Sequence, residues 1–379
     1  AGGTSGGAAG GTSGGAAGGS AGGTSGGAAG GTSGGAAGGS AGGTSGGAAG
    51  GMSGGAAGGS AGGAAGGGSP GGSDAGCPLM PAVRALSLGT ATTTWTDVTL
   101  QGSTFVAVGA GGAARRVFSD GGSQALGGGC NTRDLMAVSA RPGDGVLFAV
   151  DTDGVLLRLN PSSCTVVNGL APSTFSTSVL ALDTETFVTS YSGTVSAAGN
   201  IRLVRLNADG GSPSTWQSGF GQVWEVSGPL ASHVFAAGWD HMVQQRSFLW
   251  RWDPQSGTWS TSYSTNDQLT PLYAIDVPST NLGFAGGVNR FVEWNGAAWV
   301  ERTPAPFAIY GLKVFSSTEV FAVGTDSMNR VAFARWDGTS WTSMVSGTPP
   351  AGYLVRIDGT SRCNLYAVGN SGRAWTTAP

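Results

Sequence analysis

The chain has 379 residues, carries a formal net charge of −3, and has only 10% charged residues. Lys313 is its one lysine and its arginines are scattered, so the sequence shows no cationic footprint for nucleic acid. It has no run of about 18 apolar residues, which excludes an apolar transmembrane helix.

Two regions of different composition lie behind these averages. Residues 1–76 are almost wholly Gly, Ala, Ser and Thr and cannot bury enough apolar surface to offset the entropy of ordering their backbone. They parse in register as GGTS, GGAA, GGTS, GGAA, GGSA, after which the block repeats, with Met52 where the third copy should have Thr. Glycine at half the positions, costing about 1 kcal/mol each relative to Ala, rules out an isolated helix. Period four does not match the three-residue turn of polyproline II. An extended strand would place one Gly and one larger residue alternately on each face, thin enough for silk-like stacking between chains. Composition alone fits a flexible spacer. The strict register points to more: a segment that self-associates, or that carries O-linked sugars on Thr4, Thr12, Thr24, Thr32 and Thr44. The chain opens with neither Met nor a basic, then apolar, leader, and is read as an exported product whose signal peptide has been removed.

Residues 77–379 hold all the Trp, Tyr and Phe and contain a repeat of about 40 residues. Its core is a small-residue strand, as in Phe105-Val-Ala-Val-Gly109, Leu147-Phe-Ala-Val-Asp151, Val234-Phe-Ala-Ala-Gly238, Gly283-Phe-Ala-Gly-Gly287, Val320-Phe-Ala-Val-Gly324 and Leu365-Tyr-Ala-Val-Gly369, with a weaker copy at Phe187. An alternating strand precedes each copy. A strand such as Arg335-Trp336-Asp337-Gly338 follows, and its Asp-Gly or Asn-Gly turn leads to another Trp. Four short strands per unit, A to D, repeated radially make propeller blades. The expected fold is all-β: a seven-bladed β-propeller behind a GGxx-repeat tail. Small residues in strand B suit packing near the centre, and the recurrent Trp residues suit the layers between blades.

The last unit lacks a strand D, and residues 82–88 form a spare strand before the first unit. Placing 82–88 on the last blade closes the ring. Four cysteines, none in a CxxC pair, in a chain with only two histidines argue for two disulfides rather than zinc. Of the three possible pairings, closure favours Cys77 with Cys363. Cys130 with Cys164 follows by elimination, although the strand map sets those two on opposite faces.

With its blade repeats and Gly-rich tract, the chain resembles secreted or lipoprotein-type bacterial β-propellers. That resemblance implies an extracellular or surface location. The lipid-attachment cysteine of such proteins has no counterpart here.

No catalytic constellation is visible. His233 and His241 read as loop histidines, Asp151-Thr-Asp153-Gly154 as a turn without the further ligands of a calcium loop, and Asp240, Asp267 and Asp276 as isolated. Trp239 breaks the Trp periodicity and, with Asp240 and His241, marks the first place to seek a ligand. The expected function is that of a non-enzymatic extracellular structural protein without cofactor or metal. Its tail would be a fibre-forming segment or tether, self-associating into filaments, and its propeller a rigid head. The alternative is a propeller that binds a glycan or surface protein on a flexible spacer. If the repeats carry sugars, residues 1–60 will weigh more than their sequence mass in intact-mass spectrometry; equality of the two masses would eliminate glycosylation.

Overall fold

Alternating apolar and polar residues between Gly-, Asn- and Asp-bearing turns build 27 strands and a single three-residue 3₁₀ turn among the described residues. The computed structural model describes residues 76–89, 92–118, 120–128, 130, 132–170, 174–192, 199–240, 246–265 and 270–378. The tail threonines and His241 therefore lie outside the described residues.

The strands form five four-stranded antiparallel sheets and one seven-stranded sheet. The larger sheet is two blades sharing one strand, Ser214–Leu230, which pairs with Gly199–Asn207 as strand D of blade 3 and with His233–Asp240 as strand A of blade 4. The fold is thus a seven-bladed β-propeller. Strand A is innermost in each blade. In blades 1 to 7 the A strands are Trp95–Gln101, Leu135–Ala140, Thr174–Ala181, residues 222–230, Leu272–Ser279, Ala308–Ser316 and Leu354–Ser361. Strand A, and not the small-residue strand B, lines the axis. Strand B lies second and is covered on both faces, as Thr104–Gly109 and Asn364–Gly369 show.

The glycine ending strand B has a steric cause. A Cβ on Gly324 would lie 1.8 Å from the carbonyl oxygen of Ala308, one on Gly287 1.8 Å from that of Pro271, and one on Gly369 2.1 Å from that of Tyr353. The backbone at the head of strand A crosses directly over this position. Blade 2 has Asp151 there. Its carboxylate is buried, accepts the N–H groups of Asp153 (3.0 Å) and Val155 (2.8 Å), and pairs with Arg133. The Asp151–Gly154 segment is therefore a turn closed by its own aspartate. Among the described residues no cluster of three or more His, Cys, Asp or Glu could hold a metal ion.

The recurrent tryptophans pair across strands C and D, Trp252 with Trp259, Trp294 with Trp299 and Trp336 with Trp341, with ring centroids 5.7, 5.6 and 5.6 Å apart. Aromatic rings of the preceding blade, Phe187, Phe235 and Phe291, meet these pairs edge-on or tilted. Such contacts contribute roughly 0.5–1.5 kcal/mol each beyond their buried area. The weak repeat forms a blade as well, with polar side chains such as Thr186, Thr189 and Ser190 buried where other blades have small apolar ones.

Blade 7 takes its outer strand from Arg84–Leu86, in register Arg84↔Thr376, Ala85↔Trp375 and Leu86↔Ala374. A Cys77–Cys363 disulfide spans 286 residues. Cys363 lies in the A–B turn of blade 7, between Ser361 and Asn364. Cys130 and Cys164 are also bonded. The strand map put them on opposite faces, and a short strand corrects it. Strand D of blade 1 stops after Ser123–Ala125, and the link that follows runs beside the C–D turn of blade 2, where the Gly127 N–H donates to the Asn160 carbonyl at 3.0 Å. Gly324→Ala is expected to destabilise the fold by about 3 kcal/mol through this overpacking, read as a lower urea midpoint at unchanged m value.

Candidate functional site

Each A strand carries a β-bulge at the same height, and the bulged residue is Thr96, Met136, Thr177, Trp224, Tyr273, Tyr310 or Val355 in blades 1 to 7. Bulges re-aim side chains. Here they bring Trp224, Tyr273 and Tyr310 to one mouth of the central channel, where Tyr353 joins them. Neighbouring rings meet edge to face, with centroids 5.3, 5.3 and 6.0 Å apart. With Val355 and Arg356 they enclose a cup of about 310 Å³. On the opposite arc Thr96 donates to the Leu135 carbonyl at 2.7 Å, and Thr177 donates to that of Thr189 at 3.3 Å. The mouth is therefore one-sided: aromatic over blades 4 to 7, and without an aromatic ring at the bulge over blades 1 to 3, where Thr96, Met136 and Thr177 stand.

Below the mouth the channel narrows to about 120 Å³ between charged side chains. One tier holds Asp97, Ser178, Glu225 and Arg356, and the next holds Thr99, Ser139, Ser227, Asp276, Lys313 and Asp358. Arg356 forms the floor of the cup. Its Nη1 and Nη2 donate to the carbonyls of Tyr310 (2.9 Å) and Trp224 (3.1 Å), and its Nε faces Glu225 at 3.4 Å and Asp97 at 3.8 Å. Space for it comes from Gly311, where a Cβ would lie 2.9 Å from the Arg356 Cα. Asp276, which looks isolated in the sequence, belongs to this channel.

Burial pushes the Glu225 carboxyl up to about 7 and the Asp97 carboxyl up to about 6, against the opposing pull of Arg356. Burial raises Asp276 as well. For Lys313, burial works against the charge, but Asp358 and Asp276 outweigh it and hold the ammonium above its ordinary range. Burial also raises the Tyr273 phenol to about 12 and lifts that of Tyr310, so both are neutral across the physiological range.

The channel opens at its other end into a second cavity of about 320 Å³, on the face of the A–B turns. Cys77 and Cys363 lie on that face, opposite the aromatic mouth.

Trp239 is half-buried at the end of strand B of blade 4, paired with Gln222 and Ser247, on the aromatic-mouth face but one strand further from the axis. Asp240 closes the same strand, paired with Arg246. His233 opens strand B of blade 4 just after the A–B turn, against Phe235 and 3.5 Å from Arg251. Sequence reading passed over the aromatic cup, yet a signal existed. Trp224, Tyr273 and Tyr310 each stand eleven residues before the phenylalanine of the following strand B: Phe235, Phe284 and Phe321.

Both raised carboxyls fix the sign of a pH effect. Unfolded, they ionise near their ordinary values of about 4. The folded chain keeps protons the unfolded chain has lost, so their contribution to stability falls as pH rises from about 4 to about 7. The urea midpoint is expected to drop between about pH 4 and pH 7, and to drop less in Glu225→Gln; equal slopes would refute this assignment.

No protein-family model matches the chain, and no curated protein matches it in sequence. Its fold matches solved structures. One, titled "YCF48 bound to D1 peptide", superposes with a TM-score of 0.57 at 15% identity, covering 78% of this chain and 98% of that one. Another, the WD40 β-propeller domain of Doa1, gives a TM-score of 0.58 at 13% identity over 78% of this chain and 96% of that one. At these identities the likeness is one of fold, and it assigns this chain to the β-propellers by architecture.

Proposed function

We propose that the chain is a non-enzymatic binding module of an exported protein, whose propeller receives an extended segment of a partner protein at the aromatic mouth. One apolar side chain of that segment inserts among Trp224, Tyr273, Tyr310 and Tyr353. The observation that carries this reading is the unbroken arc of four aromatic rings over one half of the channel entrance. Aromatic side chains supply much contact area for little conformational entropy and dominate interface energetics. Arg356 closes the cup from below, so a guest docks there rather than threading through.

Other features support the same reading. The carboxylates of the channel are committed to backbone N–H groups. Asp97 accepts from Val98 and Val138, both at 2.8 Å, and Glu225 accepts from Ile275 at 2.8 Å. That leaves them ill-placed to act as acid or base on a substrate. Two disulfides fit folding in an oxidising compartment, and no helix among the described residues is long and apolar enough to cross a membrane. The superposed structure titled as bound to a peptide offers a precedent for a guest of this kind on the fold. In this reading the repeat tail is the extracellular tether or self-associating segment, and the propeller is its binding end.

Selection of a phage-displayed random peptide library on the full chain tests it. Tyr310→Ala and Trp224→Ala are expected to weaken the selected peptides by about tenfold or more at an unchanged unfolding midpoint. Trp239→Ala, one strand further out, should weaken them less. Peptides that bind every variant equally, or a library that never enriches, would sink the proposal.

A further inference from the structure

The second cavity, at the opposite end of the channel, differs in chemistry. The tier facing it consists of Thr99, Ser139, Leu180, Ser227, Asp276, Lys313 and Asp358, six of the seven being polar. Several of these groups spend an acceptor on the next blade. Ser139 Oγ accepts from the Ala181 N–H at 3.0 Å, Ser227 Oγ from Val277 at 3.0 Å, Asp276 Oδ2 from Val314 at 2.7 Å, and Asp358 Oδ2 from Leu100 at 2.7 Å. What remains is mostly donors: the hydroxyl protons of Thr99, Ser139 and Ser227, and the N–H bonds of Lys313 not used on Asp358, which lies 2.7 Å away. Asp276 Oδ1 remains as an acceptor beside them. Pro142, Pro229 and Pro278 stand around the entrance as a stiff apolar rim.

This inventory selects among ligands. A metal ion finds no cluster of three ligating side chains among the described residues. Asp276 and Asp358 stand beside Lys313, and the second cation of the lining, Arg141, is already paired with Asp144 (2.6 Å) and Asp209 (3.5 Å), which disfavours a free anion. An apolar guest would strand the Lys313 ammonium and the hydroxyls, at about 1–3 kcal/mol per buried unsatisfied group. A neutral polyol both donates and accepts, and turns a C–H face to the rim. The volume of about 320 Å³ lies at the small end of ligand pockets. We infer that this cavity is a binding site for one neutral aldohexose unit, free or at the end of a glycan, independent of the aromatic mouth.

Saturation-transfer NMR on the full chain, with free glucose, galactose and mannose as probes, tests the inference. A saturable signal is expected for at least one hexose. Thr99→Val removes a donor that holds no backbone group and should weaken it about three- to tenfold. Lys313→Met should abolish it while leaving selected peptides bound at the aromatic mouth. If Lys313→Met does not fold, Thr99→Val decides alone. Absence of a saturable signal for all three hexoses, undiminished binding in Thr99→Val, or a response to acetate or phosphate in place of the sugars would overturn it.

Discussion

The innermost strand of every blade turns one edge to the channel, and an open edge leaves backbone N–H groups without partners. The propeller meets this constraint with side chains. At six junctions a carboxylate or hydroxyl of one blade accepts from a backbone N–H of the next: Asp97 to Val138, Ser139 to Ala181, Ser178 to Val226, Glu225 and Ser227 to Ile275 and Val277, Asp276 to Val314, and Asp358 to Leu100. At the seventh, between blades 6 and 7, the corresponding residue is Lys313, which has no acceptor to offer. Its ammonium pairs with Asp358, and Arg356 donates to the Tyr310 carbonyl. Polar residues in the channel thus bind the blades together before they do anything for a ligand. The layers farther out are apolar, where Phe and Trp rings fill the wedges between blades.

The same belt divides the channel into two chambers. Arg356 fills the upper tier because Gly311 leaves it room and because the Asp97 and Glu225 carboxyls attract it across the axis. Above it the bulges present aromatic rings, and below it the second tier presents donors. Two faces of different chemistry therefore follow from one arginine laid across a ring of short side chains.

Much of this architecture was legible in the sequence. The Phe-Ala-Val-Gly strands and the Trp-Asp-Gly turns announced seven blades because each answers a local demand: a glycine where the head of strand A passes within contact, a Trp where a wedge widens. The identity of the innermost strand was not legible. Strands A and B are both apolar and alternating, and only the ring closure decides which one faces the axis. The Cys130–Cys164 pair defied the strand map because strand D of blade 1 has three residues where that of blade 2 has six, and strand length is weakly encoded at an edge. The candidate site was hidden for a different reason. Asp97, Glu225, Asp276 and Asp358 are far apart in the chain and share no motif, and Trp224, Tyr273 and Tyr310 become neighbours only when bulges at one height turn them inward.

The Cys77–Cys363 bond has a mechanical consequence. Load applied to the chain ahead of Cys77 passes through a covalent link into the A–B turn of blade 7. The short strand Arg84–Leu86, held by three residue pairs, lies beyond that link and is not peeled from the sheet. Without the link, tension on the chain ahead of it would act directly on those three pairs. Cys77 and Cys363 lie on the face opposite the aromatic mouth, so such a load enters the ring at the far end of the channel from the aromatic cup.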